Sequence, residues 1–464
     1  MSKLYIPTTN AGLAHDADIF DLQVTIPYTI TCSGDGYIKL WKNKLLEGQL
    51  PQDFCYKQFV SKMGVHHLSY LHTIEPNTTL ETFIISCVSF DGKLHLYQFD
   101  LKTLVFKNLG KDCAPIFGQL SFWSVNLVEQ NGIYDASNAN NNISHKLLAT
   151  TVNGEIYSWD LKIKSPEQNG TETALTALDQ VITIQNHIDV FDAVTTEIEE
   201  NSDTKGTIST GTIFNNSMSG NFPLCLSHNI SNEMVAVGYN NGILLLLELN
   251  TLKPVFQLQI SSYPIRSLSF APQPVLLEGH NNTDISGNYG RKDKSKNDTL
   301  LAVSHDMGSY GRLSLVSTKY GEHICDLSIP SHSSTALGTN NNSSGSANIV
   351  AFAHESWCLS CCFNETGKYL VSGGLDGKLR VWDVDKRERV STLHCSNLDI
   401  EDDNKIMKVE KETGKNLSGS VALGVLSVKF INKDVRNNTS NEGLCCVCID
   451  RGIRWYREAG SGTI

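Results

Sequence analysis

One unit recurs along this chain: a short apolar run, a small polar residue, an Asp-Gly or Asn-Gly pair, then an alternating strand. It reads Ile30-Thr31-Cys32-Ser33-Gly34-Asp35-Gly36-Tyr37-Ile38-Lys39-Leu40-Trp41 near the start. It returns around Asp91-Gly92 and, in its clearest copy, as Leu370-Val371-Ser372-Gly373-Gly374-Leu375-Asp376-Gly377-Lys378-Leu379-Arg380-Val381-Trp382-Asp383. Weaker copies turn on Asn153-Gly154 and Asn241-Gly242, and two degenerate ones lie around Asp306 to Val316 and around Asp450 to Tyr456, with turns at about Asp306 and Asp450. Asn-Gly and Asp-Gly supply the positive φ angles of a tight hairpin, and alternation on both sides marks the flanking strands.

Each hairpin is preceded by another strand candidate, such as Ile265-Arg266-Ser267-Leu268-Ser269-Phe270, and often followed by one, such as Lys253-Pro254-Val255-Phe256-Gln257-Leu258. Four strands per unit, seven times over, predicts an all-β, seven-bladed β-propeller. The last unit stops after its third strand at Arg454-Trp455-Tyr456-Arg457, and Lys3-Leu4-Tyr5-Ile6 at the other end is the obvious donor of the fourth. Such a join closes the ring and leaves no open sheet edge. The whole chain, 1–464, is then expected to be one propeller. Seven units in 464 residues average about 66 each, against roughly 40–45 for repeats of this kind. The surplus falls in Asn/Ser-rich stretches at 130–144, 164–219, 278–297, 331–348 and 396–420, which read as surface insertions without an apolar period of their own.

The formal net charge of −11 lacks the basic footprint of a nucleic-acid binder. The run Arg291-Lys292-Asp293-Lys294-Ser295-Lys296 and the acidic runs at 197–203 and 399–403 read as solvated loops. No apolar window is long enough to span a membrane, and the first residues have no apolar signal core. The thirteen cysteines therefore belong to a reducing compartment. A cytoplasmic, or also nuclear, protein is expected.

His15, Thr31, Asp35 and Trp41 recur in the same relation to a hairpin as His354, Ser372, Asp376 and Trp382. A catalytic triad is laid out once, whereas a set laid out twice reads as a buried hydrogen-bond chain that staples each blade. In the second unit Cys87 and Tyr97 stand at the hydroxyl and Trp positions, so that blade relies on packing. Cys445-Cys446-Val447-Cys448 and Cys358, Cys361 and Cys362 invite a metal reading, and alternation puts Cys446 and Cys448 on one face. No second pair at zinc spacing accompanies either cluster, so no metal and no cofactor are expected. No phosphate-binding, metalloprotease or nucleophile-elbow motif is present in the sequence, so no catalytic residue is assigned.

Surface recognition remains. The loops leading into each first strand and the hairpin turns open on one face of a propeller, where bulky apolar residues have no core to fill. Phe90, Phe122, Trp123, Trp357 and Leu375 are the expected anchors there, with Asp18 as a charged rim contact.

The units resemble WD-repeat propellers, with Trp41, Trp159-Asp160 and Trp382-Asp383 at the naming positions. More specifically, Asn10-Ala11-Gly12-Leu13-Ala14-His15-Asp16-Ala17-Asp18-Ile19-Phe20, Phe352-Ala353-His354-Glu355-Ser356-Trp357 and the stretch from Leu444 through Trp455-Tyr456-Arg457-Glu458-Ala459-Gly460 resemble the WD-repeat subunit of the fungal superkiller (antiviral) complex. The Asn-rich insertions are the main departure from that family. The resemblance implies a non-catalytic scaffold, two per complex, joining a tetratricopeptide-repeat subunit and a DExH-box RNA helicase. That assembly feeds messenger RNA into the cytoplasmic exosome for turnover, surveillance and repression of viral RNA. The subunit is also similar to one that serves meiotic double-strand-break formation by binding a topoisomerase-like nuclease. A ubiquitin-ligase substrate receptor stays an alternative, weakened because Val384-Asp385 and Leu161-Lys162 follow the Trp-Asp pairs where such receptors carry Arg at the second position. A propeller enzyme or lectin would need polar groups converging at the channel mouth, and none is assigned from the sequence.

Overall fold

The computed structural model describes residues 3–45, 49–74, 81–109, 120–129, 144–163, 182–185, 222–231, 233–272, 299–329, 352–399, 422–432 and 442–459. Nearly all of the five insertions lies outside these residues. The described strands form seven four-stranded antiparallel sheets. Blade 1 runs Ile19–Val24, Tyr28–Ser33, Tyr37–Lys42, Cys55–Phe59. Blade 2 runs Val65–Ile74, Glu81–Ser89, Leu94–Asp100, Val105–Asn108. Blades 3 to 6 begin at Phe122–Val128, Pro223–Asn229, Ile265–Phe270 and Cys358–Phe363. Blade 7 consists of Val425–Ile431, Gly443–Cys448 and Ile453–Glu458, completed by Tyr5–Ala11 from the N-terminus. The expected closure is therefore present, with Tyr5 opposite Glu458 and Ala11 opposite Ile453. First strands touch in succession around the ring, and the first strand of blade 7 touches that of blade 1.

Strand alternation explains where the core sits. Each sheet has two apolar faces, and each face must be covered by the next blade. The buried side chains accordingly fall into seven clusters, each spanning two adjacent blades. Ile30, Ile38 and Leu40 of blade 1 pack with Phe83, Ile85 and Phe99 of blade 2. Trp41 and Leu22 of blade 1 pack with Trp455 and Ile453 of blade 7. Tyr5 packs into the layer between blades 6 and 7, with Val371, Val428 and Leu444.

The hairpins follow the expected turn chemistry. Gly36, Gly92, Gly154, Gly242 and Gly377 all have positive φ. At Gly36 (φ 84°) a Cβ would lie 2.0 Å from the Ser61 carbonyl oxygen, so glycine is required twice over. Blade 5 departs from expectation: its strands continue through Met307 and resume at Tyr310, so the turn is at Gly308-Ser309. Asp306 lies two residues earlier, inside the strand pair opposite Gly311, because the positive-φ glycine decides where the chain reverses. Blade 7 turns with Arg451 at φ 62° in the glycine position.

If the N-terminal strand closes the ring through its side chains as well as its ladder, Tyr5→Ala removes a buried aromatic from the blade 6/7 layer. It is expected to cost about 3 kcal/mol, whereas Leu4→Ala, at an exposed neighbour, should change stability by less than about 0.5 kcal/mol. Urea unfolding midpoints check both; equal effects would contradict the closure.

Candidate functional site

The same irregularity interrupts the first two strands of every blade. Register shifts fall between Ile19 and Asp21, Val65 and His67, Phe122 and Ser124, Pro223 and Cys225, Ile265 and Ser267, Cys358 and Ser360, and Val425 and Ser427. Each shift is a β-bulge, in which two residues oppose one and the extra side chain is re-aimed. The seven bulged residues are Phe20, His66, Trp123, Leu224, Arg266, Leu359 and Leu426. All seven line one cavity of about 370 Å³, which draws its walls from the first strand of every blade and is therefore the axial channel. Asp21, Gln23, Ser69, Asn126, Ser360 and Lys429 line the same channel.

A second repeated contact builds the rim around this ring. In every blade the residue just before the first strand accepts, through its carbonyl oxygen, the N–H of the residue near the hairpin turn. The pairs are Gly34 to Asp18, Phe90 to Gly64, Val152 to Ser121, Asn240 to Phe222, Asp306 to Pro264, Leu375 to Trp357 and Ile449 to Gly424, at 2.9–3.1 Å. The two loop layers of the face are thereby latched together.

This construction sorts the expected anchors. Asp18 and Trp357 hold equivalent positions before the first strands of blades 1 and 6. Phe90 and Leu375 hold equivalent turn positions in blades 2 and 6. Trp123 is a bulge residue. Phe122 is corrected: it is buried in the blade 2/3 layer, with its ring 5.9 Å from Trp159 and 6.4 Å from Tyr157. The bulge separates the two neighbours, sending Phe122 into the core and Trp123 to the channel mouth. Every residue equivalent to Phe122 is likewise buried.

The mouth is aromatic on one side. Ring centroids run Phe20 to Phe90 at 5.1 Å, Phe90 to His66 at 4.6 Å, His66 to Trp123 at 4.4 Å and Trp123 to Phe222 at 4.6 Å. Phe90 and Trp357 each keep about two fifths of their surface exposed, at 42% and 41%. Across the mouth, Trp357 donates its indole N–H to the Gly308 carbonyl at 2.9 Å, and the Arg266 guanidinium lies 5.0 Å from its ring. Arg266 is itself held by the Asp306 carboxylate at 2.6 Å. Burial, with His67 as neighbour, pushes His66 down to about 3. It is therefore neutral, and its Nδ1 lies 2.7 Å from that of His67, so one of the two donates to the other. Asp18 stays on the rim, 4.0 Å from the Arg451 side chain. Leu224, Leu359, Leu426 and Ile449 were not singled out in the sequence. A signal for some of them existed: Cys358-Leu359 and Val425-Leu426 place two apolar residues in succession where alternation accommodates one.

The recurring His/hydroxyl/Asp/Trp sets are brought together beneath this face. Trp382 donates its indole N–H to Ser372 Oγ at 2.9 Å, Ser372 lies 2.8 Å from His354 Nε2, and His354 Nδ1 lies 2.9 Å from Asp376. Trp41, Thr31, His15 and Asp35 repeat the chain at 2.9, 2.9 and 2.8 Å. In blade 6 the Arg380 guanidinium joins the chain, 2.7 Å from His354 Nδ1 and 2.7 Å from the Asp376 carboxylate. Burial lowers both His15 and His354, and the neighbouring carboxylates only partly oppose it. Burial alone would raise Asp35, but hydrogen bonds from His15 and the Tyr37 and Asp16 amides outweigh it and hold it at about 2. Each chain anchors the turn that carries its rim residue: Leu375 precedes Asp376, and Gly34 precedes Asp35. In blade 2, Cys87 is buried at the hydroxyl position, and Ser89 joins Asp91 to His95 (3.0 Å to its Nε2).

With the geometry in place, comparison with known proteins identifies the family. The WD domain, G-beta repeat family matches residues 347–383, the blade that holds the clearest repeat. Across the whole length, the chain is 35% identical to the antiviral protein SKI8 of Saccharomyces cerevisiae, over 99% of this chain and 100% of that one. The chain belongs to the SKI8 family. It is also 23% identical to the meiotic recombination protein rec14 of Schizosaccharomyces pombe, over 60% of this chain and 67% of that one. The family resemblance drawn from the terminal segments and the His354 region is thus borne out, and these SKI8-like segments supply the ring closure and the His354 chain described above.

The neutral histidines have a consequence for stability. Below about pH 6.5 the unfolded chain takes up a proton at position 354 that the native state refuses, so this contribution is complete above that pH and declines below it. His354→Gln is expected to be less stable at pH 7. Between about pH 6.5 and 5 it should lose stability more slowly than the parent, by up to about 1.4 kcal/mol per pH unit. Urea midpoints across that range measure the slope; an unchanged slope would mean that native His354 protonates freely.

Proposed function

We propose that the chain is a non-catalytic protein-interaction scaffold of a superkiller-type helicase complex, and that the channel mouth is the surface that holds its partners. The observation that carries this reading is the ring of bulged residues with its exposed rim of Phe20, Phe90, Trp357 and Ile449. Contiguous exposed aromatics around a rigid centre suit a protein ligand, since desolvated aromatic anchors dominate interface energetics. Full-length similarity to a protein named for its antiviral role supports the assignment of complex. The partners are then a tetratricopeptide-repeat subunit and a DExH-box RNA helicase, acting with the exosome in cytoplasmic RNA decay, surveillance and antiviral repression. Similarity to a meiotic recombination protein supports a second, nuclear role in double-strand-break formation with a topoisomerase-like nuclease. A net charge of −11 suits a subunit that holds proteins while RNA passes elsewhere.

Affinity purification of the tagged chain from cytosolic extract is expected to recover the helicase and the tetratricopeptide protein together. Phe90→Glu or Trp357→Glu should weaken that recovery on the order of 100-fold, and Leu375→Glu should weaken it too. Val105→Glu, on the outer strand of blade 2, should leave it unchanged. Recovery of a ubiquitin-ligase adaptor in place of both partners, or variants that bind normally, would overturn the reading.

A further inference from the structure

Three thiols converge where the sequence offered two. Cys446 and Cys448 share one face of the second strand of blade 7. The third, Cys395, is about fifty residues earlier, directly after the fourth strand of blade 6 (Glu388–His394). The three sulfur atoms all lie within 4.8 Å of one another, and the residues are buried. Cys395 Sγ is 3.9 Å from Cys446 Sγ and 3.7 Å from the Tyr456 hydroxyl oxygen. Among the described residues, no other three His, Cys, Asp or Glu side chains converge in this way.

The Cys395–Cys446 spacing matches a metal-coordination sphere. Zinc binds thiolate at about 2.3 Å, which sets sulfur–sulfur distances of about 3.8 Å in a tetrahedron and about 4.0 Å in a trigonal plane. A phenol oxygen at an ordinary zinc–oxygen distance would stand about 3.5 Å from those sulfurs. The Cys395–Cys446 separation of 3.9 Å falls between the two sulfur values, and the Tyr456 oxygen, 3.7 Å from Cys395 Sγ, stands slightly outside the phenol value. A disulfide would instead need the sulfurs at about 2 Å. The backbone around the cluster is held independently of any ligand: Cys395 donates its N–H to the Gly377 carbonyl and accepts from Leu423. Cys446 sits in the ladder between the first and third strands of blade 7. The ligand positions are thereby fixed by two different blades.

We propose that Cys395, Cys446 and Cys448 bind one Zn²⁺ ion, with the Tyr456 oxygen in the fourth position. The ion is a structural staple between blade 6 and blade 7, the blade in which the ring closes. Binding forms three zinc–sulfur bonds and one zinc–oxygen bond to the phenol, which keeps its proton, releases the three thiol protons to solvent and displaces the ion's hydration water. Because the sulfurs are buried, the metal enters as the blades assemble, and it exchanges only when they open.

Metal analysis of the full-length protein, purified without chelator, is expected to give about one zinc per chain. Cys446→Ser and Cys448→Ser should lose it, while Cys445→Ser, on the opposite face of the same strand, should keep it. The parent protein provides a test independent of variant folding. Unfolded with chelator and refolded with Co²⁺, it should show the intense thiolate-to-cobalt charge-transfer absorption of a tetrahedral sulfur site. Purified parent protein without zinc and without that band would overturn the proposal, as would copper in zinc's place or a disulfide among these three cysteines.

Discussion

Everything in this molecule depends on the ladder between Tyr5–Ala11 and Ile453–Glu458. A blade has two apolar faces, and each is covered only by a neighbour, so an open row of seven would expose one face at either end. Joining the two ends of the chain within one sheet removes both the exposed faces and the unpaired edge. The distance in sequence is nearly the whole chain, so the closing contact carries the largest loop-closure entropy in the fold. The interblade layers, each a cluster of buried Leu, Ile, Val, Cys and aromatic side chains, supply the burial that offsets it. The three-thiol cluster stands in one of these layers, beside the closing blade.

The ring also explains how a surface can be built from so many distant segments. Each blade presents its first strand to the axis, and a bulge at the same position in all seven re-aims one residue toward the channel mouth. The carbonyl latch from the preceding loop to the hairpin then fixes the rim. Where the His354 and His15 chains are complete, the turn is further anchored by buried polar groups that satisfy one another. Blade 5 uses another device, with Asp306 on its second strand gripping Arg266 on its first. Similar backbone geometry is thus maintained by different side-chain chemistry from blade to blade, which leaves the exposed residues free to differ.

Much of the architecture could be read from local signals. Asn-Gly and Asp-Gly hairpins, alternation and the missing last strand are all consequences of short-range backbone rules, and they led to seven blades and to the closing strand. The buried hydrogen-bond chains were legible because His15 and His354 recur at similar offsets from turn, hydroxyl and Trp. Asp306 misled because an Asp near a glycine resembles the turn pair, whereas the reversal is set by positive φ at Gly308. Phe122 misled for a related reason: nothing in a Phe-Trp pair says which member a bulge will turn outward.

The sequence by itself determined the repeat, the strand count, the polarity of each face and the family, because these rest on interactions between residues a few positions apart or on direct similarity. Tertiary structure alone decided which seven side chains meet at the channel mouth, since each comes from a different blade. It likewise decided that Cys395 joins Cys446 and Cys448, because residues of adjacent blades are brought together by packing between sheets, which has no fixed spacing along the chain.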